Sequence, residues 1–107
     1  MKLYIAGPMT GYPDANYPAF NAAEEALRRA GFEVLNPTLG EIAPPAEDTK
    51  PWDWYMRRGL RQVLEADGVA LLKGWRDSRG AALETHVARE LGMPVGTLFD
   101  WLSGGVA

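Results

Sequence analysis

The sequence contains no cysteine and only one histidine, His86, among its 107 residues. Disulfides, zinc–thiolate sites, iron–sulfur clusters and cysteine nucleophiles all need a thiol, so the sequence excludes each of them. A single histidine also excludes a multi-histidine metal site. Any catalysis must therefore use carboxylates, hydroxyl groups and backbone amides.

Long apolar runs and basic clusters are absent as well. The longest aliphatic run, residues 69–72, is far shorter than the ~20 residues that span a bilayer. The start of the chain carries one charge and too short an apolar stretch for a signal peptide. With a formal net charge of −3, the chain is a poor candidate for binding a nucleic acid polymer. We expect one cytoplasmic domain spanning 1–107 that binds a small molecule and no membrane.

Patterns typical of strands and helices alternate along the chain. Strands are predicted over 2–6, 32–35, 68–72 and 95–99, and helices over 17–30, 52–66 and 79–91, with a short helical turn near the end. This alternation predicts an α/β fold whose parallel sheet has about four strands in the order 2-1-3-4, possibly with a fifth short element. The proline-rich segment 36–51 is predicted to be a loop, either a functional lid or a partner-binding segment.

In a sheet of this order, ligands bind where the strand order reverses, at the carboxyl ends of strands one and three. The loops that meet there are 7–17 and 73–78. The first offers backbone amides, a hydroxyl group and an aromatic ring, but lacks the Walker and dinucleotide-binding patterns, and an ordinary turn is the alternative. Ser78 can cap the following helix, where Ser78, Arg79 and Gly80 form either an anion site or a plain helix start.

The predicted helix 79–91 carries a glutamate, Glu84, in the middle of its apolar face. At 100° per residue that face consists of Gly80, Ala81, Leu83, Val87, Ala88 and Leu91, and the polar face of Arg79, Thr85, His86, Arg89 and Glu90. Desolvating an unpaired carboxylate is costly, so its presence needs a reason. Either Glu84 has a structural role, in which it pairs with an arginine or caps a neighbouring loop, or it points into a ligand cavity. His86 is interpreted as a surface residue.

Five segments of the chain resemble the small DUF4406 proteins, which are similar to the nucleoside 2-deoxyribosyltransferase superfamily, including deoxynucleoside 5′-monophosphate N-glycosidases. They are YIAGPMTG at 4–11, NYPAFN at 16–21, NP at 36–37, YMRR at 55–58 and GWRDSRGAALE at 74–84. The resemblance implies a flavodoxin- or Rossmann-like three-layer sandwich and a reaction at C1′ of a deoxyribose. It implies no metal and no organic cofactor.

The resemblance also implies roles for individual residues. Glu84 matches the nucleophilic glutamate of the superfamily, which forms a covalent bond to the sugar and releases it to water or to another base. Ser78 matches a position that contacts the sugar or phosphate, and Tyr4 with the loop 7–11 matches the nucleotide pocket. The candidate substrate-binding residues are Tyr4, Gly7, Pro8, Met9, Thr10, Gly11, Trp75, Asp77, Ser78 and Gly80.

One position departs from the pattern. Relatives commonly carry an aspartate after the two arginines of the second helix, where this chain has Gly59. A glycine within a helix lowers helix stability by ~1 kcal/mol relative to alanine. Its presence indicates that a side chain is absent at this position to leave space or to allow a close approach of the backbone. Asp77 or Asp14 are candidates to supply the missing carboxylate. Loss of the aspartate also supports an alternative, a nucleotide- or metabolite-binding protein without catalysis, in which Gly59→Asp is expected to restore activity.

The four tryptophans, at 52, 54, 75 and 101, are many for so small a core. They favour core packing, an interface or a base-stacking surface. We expect a homo-oligomer, with a dimer as the first prediction. A third interpretation is a purely structural or interaction protein, in which Glu84 is paired inside the core with no cavity beside it.

Overall fold

A computed structural model describes residues 1–46 and 50–106. Its sheet consists of four parallel strands, β1 (Lys2–Ala6), β2 (Glu33–Leu35), β3 (Gly68–Leu71) and β4 (Val95–Thr97). Their order is β2-β1-β3-β4, which confirms the predicted topology. In the central part of the sheet, Tyr4 of β1 lies between Leu35 of β2 and Val69 of β3.

Four helices cover the two faces of the sheet: α1 (Tyr17–Arg29), α2 (Trp52–Glu65), α3 (Arg79–Glu90) and α4 (Leu98–Ser103). One apolar cluster joins the sheet to α1 and α4 through residues such as Phe20, Leu27 and Trp101. A second cluster joins it to α2 and α3 through Val63 and Ala88. The protein is therefore a three-layer α/β sandwich, as predicted. Residues 47–49 of the predicted proline-rich loop lie outside the described residues.

The alternation of side chains along β1 decides which layer each residue faces. Leu3 and Ile5 belong to the cluster beneath α1 and α4, whereas Tyr4 and Ala6 belong to the cluster beneath α2 and α3. Successive strand residues point to opposite faces of a sheet, so this division follows from the strand itself. It directs Tyr4, which is 1% exposed, toward the helix that carries Glu84.

Besides one-residue shifts at the ends of other elements, the structure differs from the sequence predictions at the last strand and on the faces of α3. The last strand ends at Thr97 rather than at 99, because Thr97 and Asp100 form a reciprocal capping box that begins α4. Thr85 of α3 is buried and Leu91, which follows the last residue of α3, is exposed, the reverse of the predicted faces. The Thr85 hydroxyl donates to the Ala81 carbonyl over 2.7 Å, which satisfies the hydroxyl inside the core. His86 is exposed, as predicted.

Candidate functional site

A cavity of about 760 Å³ opens at the carboxyl ends of β1 and β3. Its lining comes from the loops that follow these two strands, the start of α1, the first half of α2 and the first turns of α3. This is the edge where the strand order reverses, and ligand sites of open α/β sheets occupy such an edge. The volume falls within the range of small-molecule sites.

A buried hydrogen bond between two lining residues joins β1 to α3. The Tyr4 hydroxyl donates a hydrogen bond of 2.6 Å to Oε2 of Glu84. Tyr4 is fully buried and Glu84 is 7% exposed, yet both line the cavity. The glutamate is thus held by a neutral donor, with no arginine or lysine paired to it among the described residues. This arrangement differs from the one expected of a purely structural protein, whose glutamate would be sealed in the core.

Burial changes the acidity of both partners. It raises the pKa of Glu84 from 4.5 to about 7, although the hydrogen bond from Tyr4 favours the carboxylate and lowers it in part. Burial, and then the negative charge of Glu84, also raise the pKa of Tyr4 well above its usual 10.0. Near neutral pH the carboxyl group therefore exists in both protonation states, while Tyr4 remains a donor.

Gly59 of α2 lies directly against this pair. A Cβ atom at position 59 would overlap Oε2 of Glu84 and would stand 3.2 Å from the Tyr4 hydroxyl oxygen. The glycine therefore provides the space that the carboxylate occupies, which agrees with a position emptied for close approach. The same contact argues against the expectation that Gly59→Asp restores activity, because an aspartate does not fit beside Glu84 in this position.

The loop after β1 forms one wall of the cavity. A Cβ atom at Gly7 would lie 2.8 Å from Cβ of Leu72, so only glycine lets this loop cross so close to the end of β3. The Asn16 side chain donates to the Pro8 carbonyl over 2.9 Å and ties the loop to the start of α1. Residues 14–16 have φ values of 49°, 51° and 65°, a left-handed run that non-glycine residues rarely adopt. Backbone strain of this kind is concentrated at ligand sites.

The segment after β2 contributes Pro37 and Pro44 to the lining. Asn36 and Thr38 are buried, and the Thr38 hydroxyl lies 2.8 Å from Oδ1 of Asn36. Nδ2 of Asn36 donates to Asn21 of α1 over 3.0 Å, so these amides and hydroxyls anchor the segment. From α2, the Arg58 guanidinium donates to the Pro37 carbonyl over 3.0 Å. These bonds hold Pro37 and Arg58 at the cavity, where both form part of its lining.

The starts of α2 and α3 line the cavity where it meets solvent: Trp52 and Arg79 are both exposed lining residues, and they mark its mouth. The Ser78 hydroxyl accepts from the Ala81 backbone and caps the helix, as predicted. The Arg79 guanidinium lies 3.7 Å from the centre of the Trp52 ring. Within the described parts of the chain, two cationic and two carboxylate side chains line the cavity: Arg58, Arg79, Asp77 and Glu84.

The structure brings together all but one of the predicted site residues. Those that line the cavity are Tyr4, Gly7, Pro8, Met9, Thr10, Gly11, Asp77, Ser78, Gly80 and Glu84. Trp75 does not line it; its ring packs against the apolar cluster beneath α2 and α3, with the guanidinium groups of Arg76 and Arg89 5.4 and 5.5 Å from its centre. Asp14, the other candidate for the missing carboxylate, is also absent from the lining.

Sequence reasoning missed the part of the lining that α2 supplies. Trp52, Tyr55, Met56 and Arg58 all face the cavity. Trp52 and Met56 have the apolar spacing that predicts burial in a helix core. The sequence does not indicate that the first half of α2 lies at the edge of the sheet where the cavity opens. The resemblance of the segment 55–58 to relatives was the one available signal.

The sequence matches the family model "Domain of unknown function (DUF4406)" over residues 1–97. The chain belongs to the DUF4406 family. A search of curated proteins found no match. Among solved structures, this DUF4406 protein is similar to a 2-deoxyribosyltransferase from the psychrotolerant bacterium Bacillus psychrosaccharolyticus, described as a biocatalyst for nucleoside synthesis. The TM-score is 0.65 and the identity 25%, with 89% of this chain and 69% of that chain covered.

Two further observations concern the described part of this DUF4406 chain. No helix there is long and apolar enough to cross a membrane. No group of three histidine, aspartate or glutamate side chains comes together there as a metal site would require. The residues at the cavity that can carry chemistry are thus a buried carboxylate, an exposed carboxylate, several hydroxyl groups and two guanidinium groups.

Proposed function

We propose that the protein cleaves or transfers at the N-glycosidic bond of a deoxynucleoside or a deoxynucleoside 5′-monophosphate, with Glu84 as the nucleophile. The observation that carries the proposal is a buried carboxylate, bonded only to Tyr4 among the described residues, that opens into a cavity at the sheet edge. The likeness to a 2-deoxyribosyltransferase over 89% of the chain supports the class of substrate.

The proposed chemistry has two displacements. The Glu84 carboxylate attacks C1′ of the sugar, the bond from C1′ to the base nitrogen breaks, and the base leaves with the bonding electrons and takes up a proton from solvent water. Water or a second base then attacks C1′ of the covalent glutamyl-sugar ester, which releases the free carboxylate and, from the attacking group, a proton. Two inversions at C1′ give net retention.

Tyr4 and Gly59 each support the nucleophile in this scheme. The Tyr4 O–H bond fixes one carboxylate oxygen and leaves Oε1 free to attack. The absent side chain at Gly59 gives Oε2 the space to hold that position. Because only the ionised carboxyl attacks, we expect the rate to rise with pH through about 7, the pKa of Glu84.

The test incubates the protein with deoxynucleosides and with their 5′-monophosphates, each with and without an acceptor base. Chromatography then measures the free base that is released. We expect release by the wild type and a loss of roughly a thousandfold or more in Glu84→Gln. Glu90→Gln, an exposed glutamate on the same helix, is the matched control and should keep full activity. Equal activity of wild type and Glu84→Gln contradicts the proposal.

A second candidate is a nucleotide-binding protein without turnover. Gly59 favours it, because the position that commonly holds an aspartate in relatives supplies no acidic group to this cavity. Calorimetry then shows binding of nucleoside or nucleotide, while the same preparation releases no base. Release of base by the wild type contradicts this alternative.

A further inference from the structure

The strongest unused feature of the cavity is the stacked pair of Trp52 and Arg79 at its mouth. The two residues begin different helices, α2 and α3, and both line the cavity. At 3.7 Å from the ring centre, the guanidinium of Arg79 stacks closer than that of any other described arginine on an aromatic ring. The stack holds an otherwise flexible side chain in one place.

Within residues 1–46 and 50–106, the N–H donors of the Arg79 side chain have no acceptor. No described residue accepts a hydrogen bond from its side chain, and the ion pairs of residues 1–46 and 50–106 are both on α1. Arg58, the second arginine at the cavity, already donates to the Pro37 carbonyl. A guanidinium that stacks by its face keeps the N–H donors of its edge available, and these match two oxygens of a phosphate group.

The spacing along α3 fits one nucleotide. Arg79 and Glu84 are five positions apart on the helix, which is ~7.5 Å along its axis and ~140° around it at 3.6 residues per turn, and both line the cavity. That axial distance is the scale of a sugar together with its 5′-phosphate. A substrate whose C1′ lies at Glu84 therefore places a 5′-phosphate within reach of Arg79 at the cavity mouth.

We infer that Arg79, held on Trp52, recognises a phosphate group of the substrate, so that the site prefers deoxynucleoside 5′-phosphates to deoxynucleosides. This inference rests on the proposed function, because Glu84 fixes where the sugar lies. Arg79 is a binding and specificity residue here, and Trp52 is a positioning residue that acts through it. A charge-assisted contact of this kind corresponds to a preference of roughly tenfold to a hundredfold in affinity.

The experiment is calorimetry on Glu84→Gln protein, which blocks turnover, with a deoxynucleoside 5′-monophosphate and the matching deoxynucleoside. We expect the nucleotide to bind roughly tenfold to a hundredfold more tightly, and the ratio of the two affinities to fall to about one when Arg79→Gln is added. Trp52→Leu should reduce the ratio in part. Arg89→Gln, which removes an arginine stacked on Trp75 away from the cavity, should keep it.

The outcomes separate this inference from the proposed function. Equal affinity for nucleotide and nucleoside overturns the inference, and so does an Arg79→Gln protein that keeps the full ratio. Base release from both substrates at equal kcat/KM supports the proposed function and overturns the inference. Preferential nucleotide binding that depends on Arg79, without base release by the wild type, supports phosphate recognition and contradicts the enzymatic proposal.

Discussion

Replacing Glu84 by glutamine should stabilise the protein above neutral pH. The pKa of Glu84 is 4.5 in a solvated chain and about 7 in the fold, because burial disfavours the charged form. Between these two values the folded state binds more protons than the unfolded state, so stability is highest below 4.5 and falls as the pH rises through 7. A difference of about 2.5 pKa units corresponds to about 3 kcal/mol of lost stability at pH 8.

Glutamine removes this penalty and keeps the shape of the side chain. Its carbonyl oxygen can still accept from Tyr4, but its amide N–H groups need partners, which costs ~1 kcal/mol. We therefore expect Glu84→Gln to gain about 2 kcal/mol at pH 8, a rise in Tm of roughly 10 °C, and to show no gain near pH 4. Thermal denaturation followed by circular dichroism from pH 4 to 8 measures the difference.

The matched control for this prediction is Glu24→Gln on α1. The carboxylate of Glu24 is bonded to Arg28 at 2.7 Å and to Asn36 at 3.0 Å, and despite some burial these contacts lower its pKa. Its removal should therefore destabilise the protein slightly at pH 8, by less than ~1 kcal/mol, the opposite sign. A Glu84→Gln protein that is less stable than the wild type at pH 8 refutes the reasoning, because Glu84 would then be stabilising the fold as an ion.

Three other predictions concern neighbouring contacts. Tyr4→Phe removes the donor that favours the carboxylate, so the pKa of Glu84 should rise further and the pH–rate profile should shift to higher pH; an unchanged profile contradicts this. Gly59→Ala should destabilise the wild type more than it destabilises a Glu84→Ala protein in denaturant titrations, because the added methyl group overlaps the carboxylate, whereas its 3.2 Å contact with the Tyr4 hydroxyl is present in both; equal effects in both backgrounds contradict it. Thr97→Ala removes the cap of α4 and should cost ~1 kcal/mol by the same measurement, with a cost near zero as the contrary result.

The layers of the fold follow from local patterns in the sequence. Alternation along β1 separates Leu3 and Ile5 from Tyr4, and helical spacing on α1 brings Phe20 and Leu27 to one face. Such patterns depend on the residues next to each other in the chain. The end of β4 was misplaced because the cap at Thr97 outweighs the apolar side chains at 98 and 99, which read as strand.

The sequence predicts those site residues that do not suit the helix in which they lie. Glu84 conflicts with the apolar pattern of its own helix, and Gly59 conflicts with helix propensity, so both can be found without a structure. That the two conflicts are one contact cannot be read from the sequence, because 25 residues separate them and only the packing of α2 on α3 brings them together. The same packing decides that Trp52 meets Arg79 and that Trp75 turns away from the cavity.

The role of Glu84 as a covalent nucleophile is tested most directly by trapping the intermediate. The protein is incubated with a deoxynucleoside 5′-monophosphate, quenched in acid during turnover and digested, and the peptide that contains Glu84 is measured by mass spectrometry. We predict a mass increase equal to the sugar phosphate without its base, located on Glu84 and absent from the Glu84→Gln protein. Release of base with no adduct, or an adduct on another residue such as Asp77, would contradict the account.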